Sequence, residues 1–188
     1  MNKEAAERAV RDLLIALGQD VMSEGLRDTP RRVAEMYVQQ CTEEDAELDR
    51  TFQEDKFDEL VMVRDIPITS FCEHHLIPWY GRAHIAYIPN KKLLGLSKLA
   101  RLVYSCSKGF TIQERVTKLI ADRLYEELEP KGVMVVVEAV HTCMSLRGAK
   151  AIGASATTSA VRGIFRDVVA AREEVLSLIL RTAKGGST

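Results

Sequence analysis

The sequence predicts an α+β protein in which an antiparallel sheet carries helices on one face. Two β-rich runs follow a helical N-terminal region, two helical runs come next, and two further β-rich runs precede a helical tail. Strand pairs that flank a pair of helices are typical of this class. The 188 residues are enough for one domain with a good core and a small helical appendage.

Two helices are expected at the N-terminus. Apolar residues recur at helical spacing across residues 3–17. A second helix is expected at DTP, with Thr29 as its N-cap and Pro30 in its first turn. Residues 42–59 are acidic and polar, so we expect an exposed connection there.

The main domain is expected at residues 60–188, after the helical appendage and linker at 1–59. Residue patterns predict strands at 60–69, 81–89, 132–141 and 155–165, a helix opened by Ser97, a helix at about 111–128, and a helix from Asp167 to about Thr182. The C-terminal GGST is expected to be disordered.

Composition argues against several classes of partner. The formal net charge is −1, whereas a nucleic-acid-binding protein is usually clearly basic. No apolar run approaches the roughly 20 residues that span a bilayer. The N-terminal MNKEAAERAVRDLL carries charges where a signal peptide needs an apolar stretch. We therefore expect a cytoplasmic protein with neither a nucleic-acid nor a membrane partner.

The motif CEHH is the first candidate for metal chemistry. It places Cys72 and His75 three residues apart, so that both side chains can converge in a turn. Without a secretory signal, a cysteine beside histidine indicates metal binding or reactivity better than a disulfide. The spacing alone is a weak signal, since a lone Cys-x-x-His is metal-binding in only a minority of proteins.

A second pair follows far along the chain. His141 and Cys143 lie at the end of a predicted strand, where side-chain alternation would point both the same way. Two thiolates and one imidazole suit Zn²⁺, and three protein ligands leave a fourth position for water, as in catalytic sites. The alternative for Cys143 is a small buried apolar residue. Structural roles are expected for Cys41, Cys106 and His84.

Five segments together resemble the GTP cyclohydrolase I family. They read ITSFCEHHLIPWYGRAHIAYIP, GLSKLARLV, IQERVT, VEAVHTCMSLRG and TSAVRGIF, in the family's order and at its spacings. They span about residues 60–166, and DTPRRVAEMY extends the match back to residue 28. Agreement among several independent motifs argues against a chance match.

The resemblance implies an architecture and an assembly. Members of the family have the tunnelling fold, a four-stranded antiparallel sheet with two helices on one face, preceded by N-terminal helices. Their subunits form a homodecamer of two stacked pentamers, with active sites at subunit interfaces. Joining sheets around a ring would also remove exposed strand edges.

The resemblance also implies a set of site residues, carried over position by position. These are the zinc ligands Cys72, His75 and Cys143; the active-site histidines His74 and His141; Gln113 and Glu114 for the guanine; Ser97, Lys98, Arg101 and Arg147 near the ribose and triphosphate; and Arg32 as a phosphate contact.

The implied reaction is hydrolysis of GTP, followed by rearrangement to 7,8-dihydroneopterin triphosphate with release of formate. Zinc would acidify the water that attacks the purine C8. His141 is expected to protonate N7 as the ring opens, and His74 and Ser97 are candidates for the acid–base steps on the sugar. The product can enter folate, tetrahydrobiopterin or 7-deazaguanine synthesis.

Some of these residues have simpler alternatives. Thr111-x-x-Glu114 is a capping-box pattern, and Ser97 suits an N-cap. Three positions also depart from the family pattern, because Gly109, Thr111 and Glu35 replace residues that are usually Arg, Gln and a basic residue. Glu35 is expected to weaken the phosphate contact of its helix and raise the KM for GTP.

Two rival functions remain open at this point. A non-enzymatic protein with a structural zinc would bind a fourth ligand, such as His74 or His141. Another tunnelling-fold enzyme is the second rival. A nitrile reductase would need a nicotinamide cofactor and no zinc, whereas pterin synthases typically use three histidines.

Overall fold

We describe the protein from a computed structural model that covers residues 1–42, 44–53 and 57–183, with the backbone alone for 181–183. The predicted disordered GGST lies outside the described residues. The elements are α1 Lys3–Ala16, α2 Thr29–Cys41, β1 Thr51–Gln53, β2 Val61–Cys72, β3 Pro78–Ile88, β4 Lys92–Leu94, α3 Leu96–Cys106, β5 Phe110–Thr111, α4 Gln113–Leu128, β6 Gly132–His141, α5 Thr142–Leu146, β7 Ala156–Gly163, α6 Ile164–Asp167 and α7 Val169–Ala183.

The chain divides into two compact units, Met1–Glu43 and Glu44–Thr188. In the first unit α1 packs against α2, and the side chain of Asn2 caps α1 by accepting a hydrogen bond from the Ala5 N–H at 2.9 Å. The second helix begins at Thr29 itself, so the predicted cap is one residue too late. The predicted boundary between residues 59 and 60 stays a prediction.

The acidic segment after α2 is not simply an exposed connection. Ala46 and Leu48 are buried, and β1 pairs with β4 in a small antiparallel sheet. Two carboxylates of the segment pair with basic side chains of the helices beneath it: Asp49 with Lys98 and Asp45 with Arg123. These ion pairs hold a segment that its composition alone predicts to be solvated.

The main sheet has the strand order β5-β2-β3-β6-β7. The four long strands pair antiparallel, as predicted. The short strand β5 adds two residues, parallel to β2, through the pairs Phe71↔Phe110 and Cys72↔Thr111. It is too short for a hydrophobic pattern to reveal it in the sequence.

The two faces of the sheet are covered by different helices. On one face, Ala83, Ile85 and Tyr87 of β3 join the core formed with α3 and α4. The alternate residue Ala86 belongs to a second cluster, together with Val175 and Ile179 of α7. The prediction of two helices on one face is therefore confirmed, and α7 covers the other face.

Strand register brings three segments to one end of the sheet. Trp79 of β3 pairs with Ser70 of β2 on one side and with His141 of β6 on the other. The end of β2 at Cys72 in turn pairs with Thr111, two residues before α4 begins. The CEHH motif, the start of α4 and the end of β6 therefore meet. No helix among the described residues is long and apolar enough to cross a membrane.

Candidate metal centre and active site

Three side chains converge at this end of the sheet. The ligand atoms of Cys72, His75 and Cys143 all lie within 4.8 Å of one another. Cys72 Sγ is 3.7 Å from His75 Nδ1. Tetrahedral zinc, with sulfur at about 2.3 Å and nitrogen at about 2.0 Å, requires ligand atoms about 3.5–3.8 Å apart. The separation of Cys72 Sγ and His75 Nδ1 lies in this range, and the other two exceed it by no more than about 1 Å.

A tight turn after β2 delivers two of the three ligands. The Cys72 carbonyl accepts hydrogen bonds from the N–H groups of His75, at 3.3 Å, and Leu76, at 2.9 Å. Leu76 has φ +56°, which reverses the chain, and the Ile77 carbonyl then accepts from the Cys72 N–H at 2.9 Å. The side chains of Cys72 and His75 thus converge because the chain turns between them, as their three-residue spacing predicts.

Cys143 reaches the cluster by a different route from the one predicted. The strand β6 ends at His141, and Cys143 lies in the short helix α5. Strand alternation therefore does not relate the two side chains, and that argument is wrong. Thr142 anchors α5 to β3 by donating to the Pro78 carbonyl at 2.5 Å.

The electrostatics of the two thiols favour a bound cation. Burial, followed by the proximity of Cys72, raises the pKa of the Cys143 thiol. Two neighbouring thiolates repel each other, so both ionise readily only when a cation lies between them. The donor set of two sulfurs and one imidazole suits a soft or borderline metal such as zinc.

His141 lies beside the cluster in a well-defined position. Its Nε2 is 2.8 Å from Oε1 of Gln113, and its ring stacks on Trp79 with centroids 5.6 Å apart and an angle of 17°. Burial lowers the pKa of His141, and the Glu114 carboxylate partly opposes that shift. Sequence reasoning missed Trp79, whose apolar neighbours in β3 give no sign of a role beyond packing.

The Cys-His-Cys group of Cys72, His75 and Cys143 shares one pocket of about 220 Å³ with His141. Six of the predicted site residues line it together: Cys72, His74, His75, Glu114, His141 and Cys143. The seventh, Gln113, also borders the pocket, although its side chain is 1% exposed. His74 Nδ1 is 3.8 Å from Cys72 Sγ, but within the described chain His74 is not part of a metal-binding group.

The capping alternatives are not supported. The N-cap of α4 is Ile112, with no capping side chain, and Thr111 Oγ1 instead pairs with Ser70 Oγ at 2.8 Å. The helix α3 begins at Leu96 after Gly95, so Ser97 lies inside its first turn and makes no cap. Glu114 is exposed at the start of α4, on the border of the pocket.

The predicted phosphate residues are divided between two places. Lys98 and Arg101 line a separate pocket of about 310 Å³, together with residues 44–47 of the acidic segment. The side chain of Lys98 is 9% exposed, pairs with Asp49 and donates to the Glu47 carbonyl at 2.9 Å. Within one chain, Lys98 and Arg101 therefore do not line the pocket of the Cys-His-Cys group.

Arg147 remains at the cluster. Its Nη1 is 2.9 Å from Nε2 of His75. The side chain is exposed, and it thus places a positive charge beside His75, which lines the pocket.

Arg32 and two of the departures have local explanations. Arg32 belongs to the first unit and pairs with Asp28 at 3.7 Å. Glu35 pairs with Lys3 at 2.7 Å and with Arg31 at 2.8 Å, and these hydrogen bonds lower the pKa of its carboxyl. Its negative charge is thus offset by its own neighbours. Gly109 has φ +81°, a conformation that an arginine side chain would strain.

The fold and the site together define an α+β protein with a Cys-His-Cys group that could hold a metal ion beside a histidine-containing pocket. A family model described as GTP cyclohydrolase I matches residues 6–180. The chain belongs to the GTP cyclohydrolase I family, and its fold is the tunnelling fold of that family.

Relatives agree over nearly the whole length. The chain is 52% identical over 185 residues to the GTP cyclohydrolase 1 of Bacillus subtilis, a match that covers 96% of this chain and 97% of the relative. It is 53% identical to that of Bacillus pumilus, covering 95% and 97%, and 52% identical to that of Carboxydothermus hydrogenoformans, covering 95% of both chains.

A solved structure, described as archaeosine synthase QueF-Like in the apo form, is similar with a TM-score of 0.47 and 18% identity. The match covers 55% of this chain and 93% of that one.

Proposed function

We propose that this protein is a zinc-dependent GTP cyclohydrolase I. It would hydrolyse GTP and rearrange the product to 7,8-dihydroneopterin triphosphate, releasing formate. The observation that carries the proposal is the shared pocket, in which the Cys-His-Cys group, His141 and Glu114 face one volume. Relatives about half identical over nearly their whole length bear the same name.

Cys72, His75 and Cys143 are the proposed zinc ligands. Zinc bound there would lower the pKa of a bound water to about 7 and so supply hydroxide for attack on the purine C8 at neutral pH. His74 is not proposed as a fourth ligand, because only three side chains form the group within the described residues. An open position of this kind favours catalysis over a structural zinc.

Glu114 and His141 are the proposed residues for the purine. The exposed carboxylate of Glu114 borders the pocket and can accept hydrogen bonds from the guanine N–H groups. Adenine presents different hydrogen-bonding edges and would be rejected. His141 is the proposed proton donor to N7, and His74 and Ser97 are proposed for proton transfers on the opened sugar.

The triphosphate is proposed to bind at a subunit interface. GTP brings about four negative charges that need local neutralisation. Arg147 contacts His75, which lines the pocket, whereas Ser97, Lys98 and Arg101 are on α3 and do not line that pocket. A neighbouring copy in a decamer of two pentamers could supply these three residues. Arg32 is proposed as a further phosphate contact.

Two further expectations are carried forward as proposals. The protein is proposed to act in the cytoplasm. The division between residues 59 and 60 is proposed as the start of the catalytic domain proper, after the helical appendage and linker at 1–59.

One assay tests the proposal. Purified protein is incubated with GTP, either loaded with zinc or after chelation, while formate and the fluorescence of the oxidised pteridine are measured. We expect both products with zinc and neither after chelation. Bound zinc without either product would instead support the structural-zinc rival. A nicotinamide-dependent reaction without zinc would support a nitrile reductase.

A further inference from the structure

Gln113 has an unusually complete set of hydrogen bonds for a residue at the edge of a pocket. It is the first residue of α4, and 1% of it is exposed. Its Nε2 lies 2.9 Å from the Val137 carbonyl, 3.0 Å from the Ala156 carbonyl and 3.1 Å from Thr158 Oγ1. Its Oε1 lies 2.8 Å from Nε2 of His141.

These contacts determine which way the Gln113 amide points. The two backbone carbonyls only accept, so the NH₂ group must face them. Rotating the amide by 180° would place its oxygen against two carbonyl oxygens, where no hydrogen bond can form. The oxygen of Gln113 therefore faces His141.

The orientation of Gln113 in turn fixes the histidine. An amide oxygen only accepts, so His141 must donate through Nε2, and the proton of its neutral ring lies on that atom. Stacking on Trp79, which is fully buried, holds the ring plane. The other ring nitrogen, Nδ1, makes no hydrogen bond within the described residues and is left for the pocket that His141 lines.

We propose that Gln113 is a positioning residue for His141 rather than a contact for the guanine. It holds the imidazole with its Nε2–H directed at the Gln113 oxygen and so leaves Nδ1 to the pocket. The inference deepens the proposed function and rests on it. It differs from the role that the family resemblance implies, because the NH₂ group and the oxygen of the Gln113 side chain both have partners within the chain.

The first test reads the tautomer directly in the unmodified protein. Histidine labelled with ¹⁵N is incorporated, and magic-angle-spinning NMR of the sedimented protein separates protonated from unprotonated ring nitrogens. The chain has four histidines, and His141→Asn identifies the signal of interest. We expect the neutral ring of His141 to be protonated at Nε2. A proton on Nδ1 of the neutral ring would overturn the proposal.

The second test separates positioning from substrate binding. Gln113→Met keeps the length of the side chain but removes the acceptor. We expect kcat to fall by about 10²-fold, the usual contribution of a positioned acid–base group, while the KM for GTP changes by less than about twofold. The matched control is Glu114→Gln, which weakens a proposed guanine contact and should raise KM. A raised KM with unchanged kcat in Gln113→Met would show substrate binding instead.

Two measurements keep these outcomes separate from other failures. Turnover of GTP by the wild-type protein is measured first, and its absence would reject the proposed function whatever the tautomer. In Gln113→Met, the His141 signal should show a mixture of tautomers if the variant is folded. A folded variant that retains only the Nε2–H form would overturn the proposal.

Discussion

Cys143 is the residue on which the candidate metal centre most depends, because it joins the local CEHH turn to a distant part of the chain. We expect Cys143→Ser to lose bound zinc, since a hydroxyl is a poor substitute for a thiolate. We also expect it to lose GTP hydrolysis by more than about 10²-fold. Elemental analysis and the formate assay check both. Retained hydrolysis in the zinc-free variant would refute the mechanism.

The control for Cys143→Ser is Cys41→Ser. Cys41 belongs to the first unit and is free and half-buried, whereas the proposed metal ligands all lie in the second unit. We expect this variant to keep its zinc and its activity. The same size-exclusion profile for both variants would show that the loss in Cys143→Ser is local.

At the residue scale, the sequence predicts the members of the Cys-His-Cys group better than it predicts their surroundings. CEHH indicates a turn because its spacing is local, and the turn after Cys72 confirms it. The pairing of His141 with Gln113 joins residues 28 positions apart, so no spacing rule reaches it. The stacking of Trp79 on His141 depends on strand register, which only the assembled sheet defines.

At the scale of elements, the acidic segment after α2 contacts the helix α3. Asp49 pairs with the buried Lys98. The positive charge of Lys98 is one of those proposed to neutralise the triphosphate. We expect Asp49→Asn to lower the KM for GTP by about threefold, because the phosphate no longer competes with a carboxylate for Lys98. Steady-state kinetics check this.

Asp58→Asn is the matched control for Asp49→Asn, since Asp58 also pairs with a lysine, Lys131, but does not line the pocket of Lys98 and Arg101. It should leave KM unchanged. An Asp49→Asn variant with a raised KM would indicate that the pair holds Lys98 in its binding position rather than competing with the substrate.

The close approach of β3 and β6 requires a glycine. A Cβ at Gly81 would lie 1.9 Å from the Glu138 carbonyl oxygen. We expect Gly81→Ala to lower the free energy of unfolding by about 2–3 kcal/mol, as overpacking does in other cores. Gly25→Ala is the control, because nothing lies within 4 Å of its added methyl. Urea unfolding measures both, and equal stability of the two variants would contradict the prediction.

An ion pair joins α4 to β7 and makes their contact depend on pH. Arg162 Nε donates to Asp122 at 2.7 Å. Burial alone would raise the pKa of Asp122, but hydrogen bonds from Lys118 and Arg162 outweigh it, so the pKa lies below its ordinary value. A carboxyl with a lowered pKa stabilises the fold above its unfolded pKa, and that stability is lost as pH falls through the folded pKa.

We therefore expect Asp122→Asn to lower the free energy of unfolding by about 1 kcal/mol at neutral pH. The difference from wild type should shrink as the pH falls below the ordinary value of about 4 for aspartate. Urea unfolding at several pH values measures it. A difference that is constant with pH would mean that the charge of Asp122 is not the cause.

The elements themselves were largely predictable, because long strands and amphipathic helices carry their own patterns. The strand β6 matches its predicted bounds of 132–141, and α4 ends at the predicted residue 128. The predictions of elements fail where contacts between distant parts of the chain determine the local structure. The helix α5 begins where the alternating pattern of β6 predicts that the strand continues. The strand β1 forms only because it pairs with β4.

At the scale of the whole molecule, one chain does not bring all the proposed site residues together. His141 borders the metal pocket, whereas Arg101 lines a different one within the same chain. The strand β7 pairs on one side with β6, and within the described sheet its other edge has no partner strand. Both observations support the proposed assembly, in which neighbouring copies join sheets and share sites.

This arrangement predicts complementation between two inactive variants. His141→Asn lacks the proposed proton donor and Arg101→Ala lacks a proposed phosphate contact, so each should hydrolyse GTP poorly alone. In a mixed assembly, a site that takes His141 from one chain and Arg101 from its neighbour is intact whenever both chains supply the wild-type residue. Random mixing in equal amounts should therefore restore about a quarter of the wild-type activity. Co-expression with two different affinity tags, followed by purification on both, isolates the mixed assemblies for assay. His141→Asn with Cys143→Ser is the control, because both residues lie in one pocket of one chain, and this pair should restore nothing. Equal inactivity of both mixtures would place Arg101 outside the shared site.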